Sequence, residues 1–294
     1  MALVPIIIPF FKEHEKLEKC LAAIAAQSHG ECETFVRDNS DDNILFTAAV
    51  NEGLAKYCYR PDVQYVIVLN QDAYMDPDCV QKLVAFMDSH PECGIACPFQ
   101  YAETTTGRKV TWGGSLAAFP GGVHRKSDLA TDREPFETFW ANGAAMMIRS
   151  QVVRECGQFD RNMRFICSDS DFSFTARARG WKVFAVPQAL VHHALGGSGK
   201  AGGEELQLVK ARDVVYFGEK WLSGGLYRRM AHEGASLGPI SVRSLLRTYR
   251  QHIGLLERKL GVPAAGEAQR DPRLPSWMVE TSMPPQARRP GSFS

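Results

Sequence analysis

Tyr65-Val66-Ile67-Val68-Leu69-Asn70-Gln71-Asp72 is the stretch on which the fold turns. Five apolar residues, with Val66, Ile67 and Val68 β-branched, run unbroken into a polar triplet. Such a run suits a strand buried on both faces, at the centre of a parallel sheet. In these sheets ligands bind beyond the carboxyl ends of the strands, so Asn70-Gln71-Asp72 stands where chemistry is expected. A carboxylate there costs desolvation unless it is paired or binds a metal. Asp76 already supplies a cap for the next helix, which leaves Asp72 without a folding task.

Working outward, the same alternation of strand and helix continues in both directions. Upstream, Val4–Pro9 reads as a buried strand, and Leu17, Cys20, Leu21 and Ile24 recur at helical spacing. Thr34–Arg37 is a short strand ending in the turn Asp38-Asn39-Ser40-Asp41-Asp42, and Thr47–Tyr57 is helical, with Val50, Leu54 and Tyr57 on one face. Downstream, Asp76-Pro77 opens a helix carrying Val80, Leu83, Val84 and Met87, with Pro91 past its end. Gln100 to Phe139, rich in Gly, Thr and Pro, follows no clear pattern. Then come Ala144–Ile148 (strand), Ser150–Cys156 (helix), Asp171–Arg179 (helix closed by Gly180), Lys182–Val186 (strand stopped by Pro187), Leu206–Trp221 (helix) and Ser244–Leu260 (helical). The pattern predicts an α/β protein whose mostly parallel, Rossmann-like central sheet is flanked by helices. Residues 1–221 form the main domain, with a first half at about 1–98 and a second at 99–221. Residues 222–294 form a basic helical extension with a loosely ordered, Pro-rich tail.

Composition narrows the class. The 294 residues are 45% hydrophobic and 23% charged, which is the globular average and excludes disorder, collagen and coiled coil for the chain as a whole. A net charge of +1 excludes a nucleic-acid-coating protein. That sum hides an asymmetry: from Leu222 onward there are 11 Lys/Arg against 5 Asp/Glu, and before it 23 against 28. No apolar run of about 18 residues is present, so no membrane-spanning helix is expected. The apolar start, Leu3–Phe11, lacks a basic leader and carries two prolines, which makes it a first strand rather than a signal peptide. The eight cysteines are scattered through apolar segments, without the paired clusters of a zinc site, and read as reduced thiols of a cytoplasmic protein.

Further candidates for chemistry follow from position. Asp38 ends the second strand, although a turn aspartate serves equally there. Ser168-Asp169-Ser170-Asp171 precedes a helix; Asp171 fits the role of a cap and Asp169 has no evident structural one. His192-His193 follows the strand ending at Pro187; a histidine there is more often structural, but with Asp72 available one of the pair is a candidate metal ligand. Gly196–Ala201 is not a phosphate-binding P-loop, because Ala194 and Ala201 occupy positions that motif gives to Gly and Ser/Thr. The dinucleotide fingerprint is also absent after the first strand, which disfavours nicotinamide chemistry.

In this order the pieces resemble the inverting family-2 glycosyltransferases of GT-A fold, nearest to their rhamnosyltransferase-like branch, over about Val4 to Trp221. Ile7-Ile8-Pro9-Phe10-Phe11 resembles the motif bordering the nucleotide base, and Arg37-Asp38-Asn39-Ser40-Asp41-Asp42 the turn whose first aspartate binds it. Leu69-Asn70-Gln71-Asp72-Ala73 resembles the DxD-type motif, Gly143–Arg149 with Gly157-Gln158-Phe159-Asp160 the acceptor-side signature, and Asp169-Ser170-Asp171 the motif carrying the catalytic base. His193 matches the metal-binding histidine, and Arg212–Trp221 a late helix with basic residues. Asn70 replaces the first acid of a strict DxD; Lys12 stands where asparagine is usual, Leu45 where glycine is common and Thr175 where arginine is common.

The resemblance implies transfer of a sugar from a UDP- or dTDP-sugar donor to a saccharide or lipid-linked saccharide hydroxyl, in bacterial surface polysaccharide or glycolipid assembly, with a divalent cation, Mn2+ or Mg2+. It implies Asp169 as the base, with Asp171 as the alternative; Asp72 and His193 at the metal; and Pro9, Phe10, Phe11, Asp38, Asn51, Asn70, Gln71, Asp72 and Arg212 around the nucleotide-sugar. Trp112, Trp140 and Asn142 are the candidate acceptor residues. A sugar-nucleotide-binding homologue without turnover is the competing reading, motivated by Leu45 and Thr175. Nucleic acid is not an expected partner, and the basic end suggests peripheral contact with the inner face of an anionic membrane.

Overall fold

A computed structural model describes residues 2–104, 107–115, 123–127, 129–193, 202–221 and 239–264. Ten strands form one sheet: β1 (Val4–Phe10), β2 (Cys32–Asp38), β3 (Tyr65–Leu69), β4 (Ala73–Met75), β5 (Cys93–Thr104), β6 (Gly107–Ser115), β7 (Val123–Ser127), β8 (Phe136–Glu137), β9 (Ala145–Arg149) and β10 (Lys182–His193). The helices are α1 (His14–Ala25), α2 (Leu45–Tyr57), α3 (Cys79–Ser89), α4 (Ser150–Cys156), α5 (Ser168–Ala178), α6 (Glu204–Trp221) and α7 (Pro239–Leu260). The strand order is β2-β1-β3-β9-β5-β10-β4, with β6, β7 and β8 added at the side. β1 runs parallel to β2 and β3, and β5 to β10, whereas β9 enters antiparallel between β3 and β5. Strands from both halves of residues 1–221 therefore interleave in one mixed sheet.

Alternation along the central strands assigns their side chains to two cores. Ile7, Val66 and Val68 face α2, α4 and α5, whereas Ile6, Ile8, Tyr65, Ile67 and Leu69 face α1 and α3. Gly53 lets α2 lie close on β1: a Cβ there would stand 2.6 Å from a methyl of Ile7. A third cluster, with Trp140, Phe174, Phe217 and Trp221, joins α5, α6 and α7.

Three departures from the sequence reading have physical causes. The helix expected from Asp76-Pro77 starts at Cys79, because its first turn is capped from a distance: Val80 N–H donates to Gln27 Oε1 at 3.1 Å. Asp76 instead accepts from the Tyr101 hydroxyl. The helix expected from Asp171 starts at Ser168, after Cys167 takes φ 65°. The strand expected to stop at Pro187 runs on to His193, because a register shift between Val186 and Leu190 absorbs the proline, which has no N–H for the ladder.

Candidate active site

The extension of β10 places its last residue beside β4, with His193 opposite Ala73 in antiparallel register. Asp72 immediately precedes β4, so the imidazole and the carboxylate meet: His193 Nε2 lies 3.4 Å from Asp72 Oδ1, and both side chains are about nine-tenths buried. Burial works against the charge of Asp72. The neighbouring His193 and the charge of Lys16 nevertheless hold its carboxyl below the ordinary range. Cys20 lies close by, its thiol directed at the Asn70 carbonyl. Burial and the Asp72 charge push that thiol up to about 12, so it adds no thiolate to the site.

A chain of contacts leads from this pair to the second acidic motif. His193 Nδ1 is 3.1 Å from Gln100 Oε1, which also accepts from Asn142 Nδ2 at 3.4 Å. Asn142 Oδ1 accepts from Ala144 N–H at 2.8 Å, and Ala144 O accepts from Asn70 N–H at 2.8 Å, closing the loop back to the residues before Asp72. The next residue, Gly143, donates its N–H to Asp169 Oδ2 at 2.8 Å, and Ser170 N–H donates to Asp169 Oδ1 at 2.7 Å. Asp169 is half-buried in the first turn of α5. Its carbonyl accepts from Ser173 Oγ, which in turn accepts from Ala141 N–H. Gly143 allows this approach, since a Cβ there would stand 3.1 Å from Asp169 Cβ and 3.2 Å from Phe46 Cζ. Asp72, His193 and Asp169, from three separate stretches of chain, thus belong to one connected polar array.

Asp171 is directed elsewhere. It is 2% exposed, and its carboxylate accepts from Lys220 Nζ and from Trp221 Nε1 at 2.7 Å. Burial pushes its carboxyl up to about 6 against the pull of Lys220. Lys220 also donates to Asp160, so the expected alternative base is part of a packed ionic knot between α5 and α6. Asn51 packs against the Phe159 backbone: Nδ2 donates to Phe159 O and Oδ1 accepts from Phe159 N–H, using both ends of the amide. Gln71 clamps the backbone of Phe11, accepting from its N–H and donating to its carbonyl, and also donates to Glu13. Arg212 donates to Glu257 and to Pro263 O, tying α6 to α7 and the residues after it. Trp140 packs in the third core. Trp112 lies on β6, but its side chain and the glycine run 196–201 fall outside the described residues.

At the other rim, β1 ends beside β2, with Phe10 paired to Asp38. Phe10 is buried, Pro9 is half-buried, and the Phe11 ring is exposed. Asp38 is exposed and accepts from Ser40 N–H at 2.8 Å; the Ser40 hydrogen bonds hold its carboxyl below the ordinary value. Lys12 and Leu45, at positions the related pattern gives to asparagine and glycine, take φ 57° and 69°. These are left-handed values that those two residue types adopt most easily.

Two further residues organise the site and left little trace in the sequence. Gln100, fully buried on β5, links His193 to Asn142. Asp213, 1% exposed on α6, accepts from the backbone N–H groups of Arg164, Phe165 and Ile166. That loop leads directly into Cys167 and Asp169. Burial outweighs those hydrogen bonds and pushes the Asp213 carboxyl up to about 6.

Among the described residues no group of three or more His, Cys, Asp or Glu side chains could hold a metal ion. Asp72 and His193 form a pair, one oxygen and one nitrogen 3.4 Å apart. Such a pair fits a divalent cation that completes its shell from water and a diphosphate.

The architecture and these residues define a GT-A glycosyltransferase fold. The crystal structure of GalNAc-T7 with UDP, GalNAc and Mn2+ matches with a TM-score of 0.53 at 14% identity, over 89% of this chain and 57% of that one. The chain thus spans a little over half the length of that structure. Residues 65–202 match the family model described as glycosyl transferase family group 2. The matched stretch contains Asp72, Gln100, Asn142, Asp169 and His193. No curated protein sequence matches this one.

Proposed function

We propose that the protein is a metal-dependent, inverting glycosyltransferase that moves a hexosyl or deoxyhexosyl group from a UDP- or dTDP-sugar to a saccharide hydroxyl. The observation that carries this reading is the unbroken series of contacts from Asp72 through His193, Gln100 and Asn142 to Gly143 and Asp169. Asp72 and His193 are the residues that would hold Mn2+ or Mg2+. A bound divalent cation offsets the charge that develops on the departing nucleoside diphosphate. Asp169, fixed by two backbone amides, accepts the proton of the attacking hydroxyl. Displacement from the face opposite the nucleotide inverts the anomeric carbon. The exposed Phe11 ring and Asp38 border the base, with Pro9 behind them. The acceptor is a saccharide or lipid-linked saccharide of surface polysaccharide or glycolipid assembly, the rhamnosyltransferase-like role. A sugar-nucleotide panel read by thermal shift, with and without Mn2+, tests the reading. UDP- or dTDP-sugars should stabilise the protein only with the metal; equal shifts without it, or none at all, would overturn the reading. Donor binding with no transfer across an acceptor panel would leave a binding protein without turnover.

The C-terminal helix supports the membrane part of this reading. No helix among the described residues is long and apolar enough to cross a bilayer. Spacings of four, three and eight residues set Arg243, Arg247, Arg250 and Arg258 within roughly a quarter of the circumference of α7. All four are exposed, as are Leu255 on the same helix and Val262 just beyond it, whereas Val242, Leu246, Ile253 and Leu256 are buried. Arginines beside exposed aliphatic groups fit an anionic lipid surface at the cytoplasmic face. Each arginine near such a surface changes binding by about fivefold. Flotation with phosphatidylglycerol vesicles should lose Arg243→Glu/Arg247→Glu protein and retain the wild type; equal recovery would remove the idea.

A further inference from the structure

The metal-ligand reading leaves open which nitrogen of His193 carries its proton, and the hydrogen bonds around Gln100 answer it. The backbone N–H of Ala144 can only donate. The Asn142 atom that it meets at 2.8 Å is therefore the amide oxygen, so the other end of that amide is the NH2 group. That NH2 faces one atom of Gln100 at 3.4 Å, which must be an acceptor, Oε1. The same Oε1 faces His193 Nδ1 at 3.1 Å, so Nδ1 carries a hydrogen. In the neutral ring Nε2 is then a bare lone pair, and it lies 3.4 Å from a carboxylate oxygen of Asp72, which also has only lone pairs to offer. Two acceptors held this close are reconciled by a positive charge shared by both, a proton or a metal ion.

We propose that Gln100, oriented by Asn142, is a positioning residue that locks His193 in its Nδ1–H tautomer and so presents Nε2 as the metal ligand facing Asp72. Gln100 pays for this placement. It is fully buried on β5, and among the described residues its own Nε2 has no hydrogen-bond partner. Turning the amide over would set its NH2 against the NH2 of Asn142 and leave His193 Nδ1 facing a donor. The orphaned Nε2 is tolerated because the opposite end has two donors to satisfy. Partners of this kind on the far nitrogen of a ligating histidine typically change metal affinity by 10- to 100-fold.

This inference rests on the metal reading of the Asp72–His193 pair, and the experiment separates the two. Long-range 1H–15N correlation spectra of the metal-free full chain, at a pH where the ring is neutral, report the tautomer without any variant. A protonated Nδ1 and an imine-type Nε2 are expected for His193; a protonated Nε2 would overturn the proposal. Mn2+ titration by isothermal calorimetry follows, with no substrate present. Gln100→Met, which keeps the volume and removes the acceptor, should bind Mn2+ at least 10-fold more weakly, and Gln100→Glu, which keeps the acceptor, should stay close to the wild type. Should Gln100→Met fold poorly, Asn142→Asp tests the same point: without its NH2 donor, Gln100 is free to turn and His193 should show mixed tautomers. Wild-type affinity in Gln100→Met, or an unchanged tautomer in both variants, would overturn the role of Gln100. A wild-type protein that shows the expected tautomer but binds no Mn2+ would instead sink the metal reading and leave the tautomer assignment standing.

Discussion

Asp169 and Asp171 lie two residues apart in one motif, and substituting each should produce opposite phenotypes. Asp171→Ala removes the partner of Lys220 at 2.9 and 3.0 Å and of Trp221 Nε1 at 2.7 Å. It leaves Lys220, itself 8% exposed, with Asp160 alone. Breaking a buried pair by deleting one member costs about 3–5 kcal/mol. Removal of the carboxylate also relieves the burial that pushes it up to about 6, so the lower end of that range applies. A loss of about 3 kcal/mol, from a total of about 5–15, lowers the melting temperature by roughly 6–12 °C in a domain of this size. Asp169→Asn keeps a similar shape at a half-buried position, and its cost should stay near 1 kcal/mol. The assay is thermal unfolding of both variants beside the wild type, followed by transfer rates measured well below the lower midpoint. Asp171→Ala should be destabilised and retain turnover within about tenfold, whereas Asp169→Asn should be stable and lose about 10²–10⁴-fold in kcat. An Asp171→Ala protein that melts within about 2 °C of the wild type would refute the ionic knot. Loss of turnover in Asp171→Ala with Asp169→Asn unaffected would exchange their roles.

Gly143→Ala should lower kcat by about tenfold with little change in donor affinity, since the added methyl, 3.1 Å from Asp169 Cβ and 3.3 Å from its Oδ2, displaces the base by tenths of an ångström. Steady-state kinetics would show a KM effect instead if the contact served only donor binding. Asp72→Asn and His193→Ala should each abolish the Mn2+-dependent part of the thermal shift produced by a nucleotide-sugar. For Asp213 the folded carboxyl titrates near 6, above its unfolded value, so its stabilisation is full below about pH 4 and is lost as pH rises through 6. Denaturant unfolding from pH 4 to pH 7 should show the wild type losing about 3 kcal/mol relative to Asp213→Asn across that interval; parallel pH profiles would count against the burial.

What could be read from the sequence was local, and what could not was long-range. Tyr65–Leu69 and Ser150–Cys156 are found as expected, because an unbroken β-branched run and a short amphipathic turn carry their own signal. The three residues of β4 were missed: so short a strand has no periodicity, and it exists through pairing with β10, more than a hundred residues away. The cap of α3 was misassigned for the same reason, since Gln27 supplies it from the end of α1. The Asp72, Asp169 and His193 motifs were visible as polar interruptions at element ends. Gln100 and Asp213 were not, because a glutamine inside a strand and an aspartate inside a helix look like surface residues until burial is known. The closed pair between the Asn51 amide and the Phe159 backbone likewise leaves no trace in the sequence, because its partners lie 108 residues apart.

The register shift in β10 has a consequence for how the molecule comes into being. The imidazole that faces Asp72 is supplied by the final residue of β10, 121 positions further along the chain. On the ribosome the carboxylate emerges first, and its counterpart is not made until 121 further residues have been added. A fragment cut near residue 98 keeps the acid and has nothing to set against it. On the proposed reading, cation capture belongs to neither half of the chain by itself: it arises when the last strand docks on the sheet, so assembly of the fold and readiness for metal are a single event.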